Sequence, residues 1–150
     1  MTDYIFSDTG NCVLFEGCQL AWAGYTNSAA GGYITATRGN YLFRNCEILD
    51  APADYEVLQT AGYFGRPWGA NAKVIFLNTS ITGAGITSTG WNEMSGVQPD
   101  APTVTFKQYG TTWDGEAFDT NASFDKLTEE EYNAISDSDF LGDWIPVHYT

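Results

Sequence analysis

Apolar and polar residues alternate along short stretches of this chain, with glycine-rich turns between them, and one alternating hexamer recurs. Its template is Phe, any residue, Gly or Asn, Cys or Thr, any residue, then Leu or Ile. Three copies fit it: Phe15-Glu16-Gly17-Cys18-Gln19-Leu20, Phe43-Arg44-Asn45-Cys46-Glu47-Ile48 and Phe76-Leu77-Asn78-Thr79-Ser80-Ile81. A looser fourth runs Val104-Thr105-Phe106-Lys107-Gln108-Tyr109, so the phenylalanines are spaced 28, 33 and 30 residues apart. Period-two alternation is the mark of a half-buried strand. A second strand-like piece precedes each copy, as Tyr33-Ile34-Thr35-Ala36 precedes the second, and the separators Ala29-Ala30-Gly31-Gly32 and Gly83-Ala84-Gly85 are turn-forming. A repeat of about 30 residues with two or three short strands suits the coil of a right-handed parallel β-helix. In such a solenoid Phe stacks on Phe and Cys on Thr, and Asn45 and Asn78 share a bend where their amides can form a ladder. The competing architecture is an antiparallel sandwich whose strands happen to be alike.

After Gly110 the repeat fades, which predicts solenoid coils over residues 1–110 and a tail over 111–150 packed on their outside. Thr128-Glu129-Glu130-Glu131-Tyr132 reads as a helix start, with Thr128 as N-cap, Glu131 at the third helical position and Leu127 able to staple to Tyr132. Gly142 is the expected stop.

Composition then narrows the class of protein. Hydrophobic residues make up 43% and aromatics 15% of 150 residues, enough for one packed core. The net charge of −13 disfavours phosphate-mediated binding to nucleic acid and docking on anionic lipid. Ten of the 19 acids lie between Asp114 and Asp143, a run that reads as a solvated face. Cys12, Cys18 and Cys46 are too few for a disulfide framework and contain no CxxC pair, so they read as small buried hydrophobes, with one bridge left open. No apolar stretch reaches membrane-spanning length and no signal peptide is present.

The candidate chemistry is that of a carboxylate beside an arginine. His148, the only histidine, sits in the last three residues, where a catalytic role is not expected. There is no GxSxG, no phosphate-cradling glycine loop, no His cluster for a metal, and nothing that calls for a cofactor. Asp3-Tyr4-Ile5-Phe6 places an acid on an otherwise apolar strand. In Gly65-Arg66-Pro67-Trp68 an arginine and a tryptophan two positions apart on extended backbone face the same side. An indole face suits the apolar C–H surface of a sugar ring, and a guanidinium can hold a carboxylate ionised through a bidentate pair. Each feature also has a plainer reading, as a terminal surface acid and as a packing pair.

Taken together and in order, these segments resemble the pectin methylesterase family. Asp3-Tyr4-Ile5-Phe6 is similar to the family's Asp-Phe-Ile-Phe-Gly nucleophile segment, with Ser7 in place of the Gly. Phe64-Gly65-Arg66-Pro67-Trp68 is similar to its Leu-Gly-Arg-Pro-Trp signature. Gly90-Trp91-Asn92-Glu93-Met94-Ser95-Gly96 resembles the bacterial form of the next coil, and Leu127-Thr128-Glu129-Glu130 with Leu141-Gly142-Asp143-Trp144-Ile145-Pro146 resembles its closing segment. The likeness runs from Asp3 to about Pro146 and corresponds to the C-terminal half of the family.

The resemblance implies that Asp3 attacks a galacturonate methyl ester, that Arg66 keeps it ionised, that Trp68 stacks on sugar, and that Phe6, Ala36 and Met94 line the groove. It implies pectin as partner and an extracellular setting. The family also uses a second aspartate as general acid and oxyanion-holding glutamines, on coils ahead of the nucleophile strand, and no segment of this sequence matches them. A chain opening two residues before Asp3 is therefore expected to be a fragment, poorly active or inactive alone, and to self-associate or require the missing half across an open coil face. The alternative readings are a pectin-binding β-helix module without chemistry and a calcium-dependent lyase, whose ligand cluster of acids is not seen among the strands.

Overall fold

The computed structural model describes residues 3–22, 32–50, 62–82, 86–87 and 89–143. His148, the turn residues 29–31 and 83–85, and Trp144-Ile145-Pro146 lie outside them.

Each of the first three coils contributes one strand to each of three sheets. The first coil holds β1 (Asp3–Ser7), β2 (Cys12–Glu16) and β3 (Gln19–Trp22). The second holds β4 (Gly32–Thr37), β5 (Asn40–Arg44) and β6 (Glu47–Asp50), and the third β7 (Gly62–Pro67), β8 (Lys73–Leu77) and β9 (Ser80–Thr82). The fourth supplies β10 (Thr105–Tyr109) and β11 (Thr112–Trp113), after which β12 (Glu116–Ala117) turns back antiparallel. The sheets run β1-β4-β7, β10-β8-β5-β2 and β12-β11-β9-β6-β3. Every pairing between coils is parallel. The chain is thus a parallel β-helix. The division expected at residue 110 falls within the fourth coil, because β11 beyond it still stacks on β9.

The hexamer repeat is explained by what it packs and how it bends. Phe15, Phe43 and Phe76 lie in register and form a stacked column, with ring centroids 4.6 and 4.4 Å apart. The third position of the template is a corner. Gly17, Asn45, Asn78 and Gly110 all have positive φ, between 50 and 66°. Only Gly and, among other residues, Asn or Asp adopt that conformation at little cost. At Gly110 a Cβ would also lie 2.5 Å from the Asn78 Oδ1. The expected amide ladder is not what the asparagines make. Asn45 donates to Glu16 and Asn78 to the Tyr132 hydroxyl, since the positive-φ backbone turns both side chains outward toward those partners.

The fourth copy of the repeat is two residues out of step. Gln108, not Phe106, lies opposite Phe76, and Phe106 lies opposite Val74. A shift of two keeps both side chains on the inner face. Phe106 then stacks on Trp91 at 4.4 Å, and Gln108 joins a polar plug. At the centre of that plug is the fully buried Asp125. Its Oδ2 accepts from Thr120 Oγ1 at 2.7 Å, Trp91 Nε1 at 3.0 Å and Gln108 Nε2 at 3.2 Å.

The middle sheet is apolar on both faces. Val13, Phe15, Tyr41, Phe43, Val74, Phe76 and Phe106 point into the solenoid, while Leu14, Leu42, Ile75, Leu77 and Tyr109 point out. The outer face is covered by the segment after the last coil, through Leu127, Tyr132, Ile135, Phe140 and Leu141. Two short helices carry it, α1 (Glu129–Ala134) and α2 (Ser138–Leu141), where one helix running to Gly142 was expected. The predicted capping box is present. Glu131 N–H donates to Thr128 Oγ1, and Thr128 N–H to the Glu131 carboxylate. Arg44 adds an ion pair to Asp137 at 2.7 Å. Of the cysteines, Cys46 is buried as expected, and burial pushes its thiol above the usual range. Cys18 is half-buried. Cys12 is exposed, because it opens β2 at an outward position, and none of the three is bridged.

The first coil is less well covered. β1, β2 and β3 are edge strands, and Tyr4, Ile5, Val13, Phe15 and Leu20 are only partly buried. A cavity of about 270 Å³ lies there between Tyr4, Ile5, Leu20 and Ile34.

Replacing Asp125 by Ala removes the acceptor shared by three buried donors, of which Gln108 Nε2 keeps Thr120 Oγ1 at 3.3 Å. Asp125→Ala is expected to cost roughly 3 kcal/mol, read as a lower urea midpoint with an unchanged slope. Acid should loosen the covering segment before the sheets. Thr128 N–H holds the Glu131 carboxyl below its usual range, and Ser136 N–H does the same for Asp139. A carboxyl whose folded value lies below its unfolded one stabilises the fold above the unfolded value and loses that contribution as pH falls through the folded one. Protection factors of the Thr128 and Ser136 amides should therefore fall on acidification to about pH 3, while those of Phe43 and Phe76 hold.

Candidate functional site

The first sheet brings the sequence-predicted residues together. Asp3, Tyr33 and Tyr63 lie level across β1, β4 and β7, and Phe6, Ala36 and Arg66 form a second row three positions on. Strict alternation would point rows three apart to opposite faces. The strand departs from it: Phe64 points into the core, yet Arg66 two positions later turns to Asp3. Gly65 between them permits this, since a Cβ there would lie 2.1 Å from Thr35 Oγ1.

Arg66 meets Asp3 through a two-pronged ion pair. Nε donates to Oδ1 at 3.0 Å and Nη2 to Oδ2 at 2.8 Å. The two side chains are only 17% and 19% exposed, so water screens the pair poorly. To reach Asp3 the guanidinium crosses the second coil, and there it lies over the Tyr33 ring, 4.2 Å from its centroid. That ring stacks on Tyr63 at 5.2 Å, and the Tyr33 hydroxyl accepts from Asn92 Nδ2 at 2.9 Å.

Beside the ion pair is an aromatic shelf. Phe6, 53% exposed, meets Trp68 edge-on with centroids 5.3 Å apart. The Trp68 backbone is fixed by its N–H to Thr37 O at 2.9 Å and by Arg38 Nε donating to its carbonyl at 3.2 Å. Its indole N–H is buried, so Trp68 presents ring surface and not a donor. Arg38 also lies 5.9 Å from the Trp68 ring and pairs with Asp8 at 3.4 Å.

Asp3, Arg66, Phe6 and Trp68 thus converge as the sequence suggested. Ala36 does not line the surface. It is fully buried in the middle strand, between Phe6 and Arg66 in the row, so it is a floor and makes no contact with solvent. Met94 sits in a tight turn closed by Val97, with Ser95 and Gly96 at positive φ. That turn joins the site through Asn92, whose N–H donates to Gly65 O at 3.1 Å. Tyr33 and Asn92 were missed as site residues. Both stood in quoted segments, but nothing in a strand pattern marks a tyrosine as lying under a guanidinium. Among the described residues no three His, Cys, Asp or Glu side chains converge to hold a metal ion.

No family profile matches the chain. Curated relatives do. A pectinesterase of Aspergillus aculeatus is 32% identical over 124 residues, covering 80% of this chain and 36% of that protein. A pectinesterase of Aspergillus niger is 32% identical over 155 residues, covering 98% of this chain and 45% of that protein. Among solved structures, the carrot pectin methylesterase superposes with a TM-score of 0.68 at 22% identity, over 88% of this chain and 43% of its own. A pectin methylesterase in complex with a hexasaccharide gives 0.68 at 24% identity, over 99% and 49%. The chain spans less than half the length of each. With its parallel β-helix, its Gly-Arg-Pro-Trp segment and these relatives, it belongs to the pectin methylesterase family.

Proposed function

We propose that this chain carries the nucleophile, its arginine and part of the sugar platform of an enzyme that hydrolyses galacturonate methyl esters in pectin. The observation that carries the reading is the two-pronged Asp3–Arg66 pair set beside the Phe6–Trp68 shelf. The guanidinium grips the Asp3 carboxylate by both oxygens, and a carboxylate so oriented is a nucleophile for covalent catalysis. Each Asp3 oxygen keeps a lone pair that Arg66 does not use. One of them adds to the ester carbonyl carbon, the bond to the methoxy oxygen breaks, and that oxygen leaves as methanol after taking a proton. Water then adds to the acyl-enzyme, freeing the galacturonate carboxylic acid and restoring the Asp3 carboxylate. Trp68 and Phe6 hold the sugar by apolar contact, and Met94 borders the groove from the next coil.

Protonation of the leaving group and stabilisation of the oxyanion fall to groups that the family resemblance puts ahead of the nucleophile strand. Without an oxyanion donor the rate drops on the order of 100- to 1000-fold. The 150-residue chain by itself is therefore poorly active or inactive. Its setting is extracellular, where the polymer is.

Methanol release from methylated pectin tests the chemistry. The chain alone should turn over far more slowly than a full-length pectinesterase, and Asp3→Asn should remove what activity there is. Turnover matching the full-length enzyme, or persisting in Asp3→Asn, overturns the assignment. Trp68→Ala should weaken binding to pectin roughly tenfold, about 1.4 kcal/mol, by affinity electrophoresis. A binding loss in Trp68→Ala with no methanol release in any form of the chain would instead favour a pectin-binding module without chemistry.

A further inference from the structure

We infer that Tyr33, fixed at its hydroxyl by Asn92, is a positioning residue that holds the Arg66 guanidinium in the plane of the Asp3 carboxylate. The inference deepens the proposed function and rests on it for its chemical purpose, although the brace itself is a matter of geometry.

Asp3 and Arg66 are on the first and third coils. Two strand spacings separate β1 from β7, about 10 Å, so the arginine has to extend across the coil between them. A long side chain stretched over open surface would lose much rotamer entropy to hold one pose. The residue beneath the crossing is Tyr33, level with Asp3 on one side and Tyr63 on the other. The guanidinium carbon lies 4.2 Å from its ring centroid, at stacking distance. The ring is itself immobilised. It is 6% exposed, Tyr63 stacks on it at 5.2 Å with 17° between the planes, and Asn92 Nδ2 donates to its hydroxyl at 2.9 Å.

Asn92 is held in turn from three directions. Its N–H donates to Gly65 O at 3.1 Å, its Oδ1 accepts from Glu93 N–H at 2.9 Å, and its chain neighbour Trp91 is anchored in the core by Asp125. One strut therefore runs from the buried carboxylate at the far end of the solenoid, through Trp91, Asn92 and Tyr33, to Arg66. A guanidinium pinned by ring and carboxylate keeps both of its prongs on Asp3. A guanidinium free to swing would shield only one oxygen, or neither.

The test is NMR on the 150-residue chain with labelled arginine. A guanidinium stacked on a tyrosine shows an upfield ring-current shift at the Arg66 δ-protons and slow solvent exchange at its Nε–H. Tyr33→Phe keeps the ring and should preserve the ring-current shift. Tyr33→Leu should abolish it and speed Nε–H exchange roughly tenfold. Asn92→Ala leaves the ring in place but releases its hydroxyl, and should speed the exchange by a smaller factor, about threefold. Should Tyr33→Leu fail to fold, the Tyr33→Phe and Asn92→Ala spectra still decide.

An Arg66 signal unshifted in the parent chain, or exchange unchanged in Asn92→Ala, overturns the brace. Methanol release is read separately on the same samples. A shifted, protected Arg66 in a chain whose methanol release persists in Asp3→Asn upholds the brace and counts against the esterase. Methanol release with an unshifted Arg66 does the reverse.

Discussion

In-register parallel stacking of coils is the constraint on which everything else in this molecule depends. Each coil repeats its path about 4.8 Å above the last, so whatever one coil puts at a position is handed to the next. The phenylalanine column, the run of positive-φ corners and the buried Cys46 and Thr79 all follow from that single rule. So does the site. Asp3 and Arg66 are 63 residues apart in sequence and two rungs apart in space.

The same constraint explains where the repeat breaks. In the fourth coil the aromatic stack gives way to polar chemistry. Gln108 slips into the slot where another phenylalanine would stack, and it joins Trp91 and Thr120 around Asp125. The outer face of the middle sheet is apolar as well, and the segment from Leu127 to Leu141 covers it. At the opposite end the inward residues of the first coil are only partly buried.

Function sits where the regular pattern yields. Strict alternation would keep Arg66 on the core side with Phe64, and the strand abandons that alternation at Gly65, where no Cβ fits against Thr35. The result is a charged pair sheltered from water next to a hydrophobic shelf, with an aromatic ring supporting the cation along its length. The arrangement sets a carboxylate gripped by both oxygens directly beside an exposed apolar ring surface.

Much of this was legible in the chain. Phe15, Phe43 and Phe76 announced the coil, Asn45 and Asn78 its bend, and Thr128 with Glu131 the helix cap, because each is a local pattern with a local physical cause. Asp3, Arg66 and Trp68 could be singled out by the chemistry of an acid on an apolar strand and an arginine beside an indole, and Phe6 only through the family resemblance. Other features were settled only by packing between distant segments. The two-residue slip at Gln108, the burial of Ala36, the separate partners of the Asn45 and Asn78 amides and the placement of Tyr33 under Arg66 depend on which atoms meet across coils. Alternation along one strand specifies a face, but not the neighbour found there, and a neighbour from another coil is a property of the folded molecule alone.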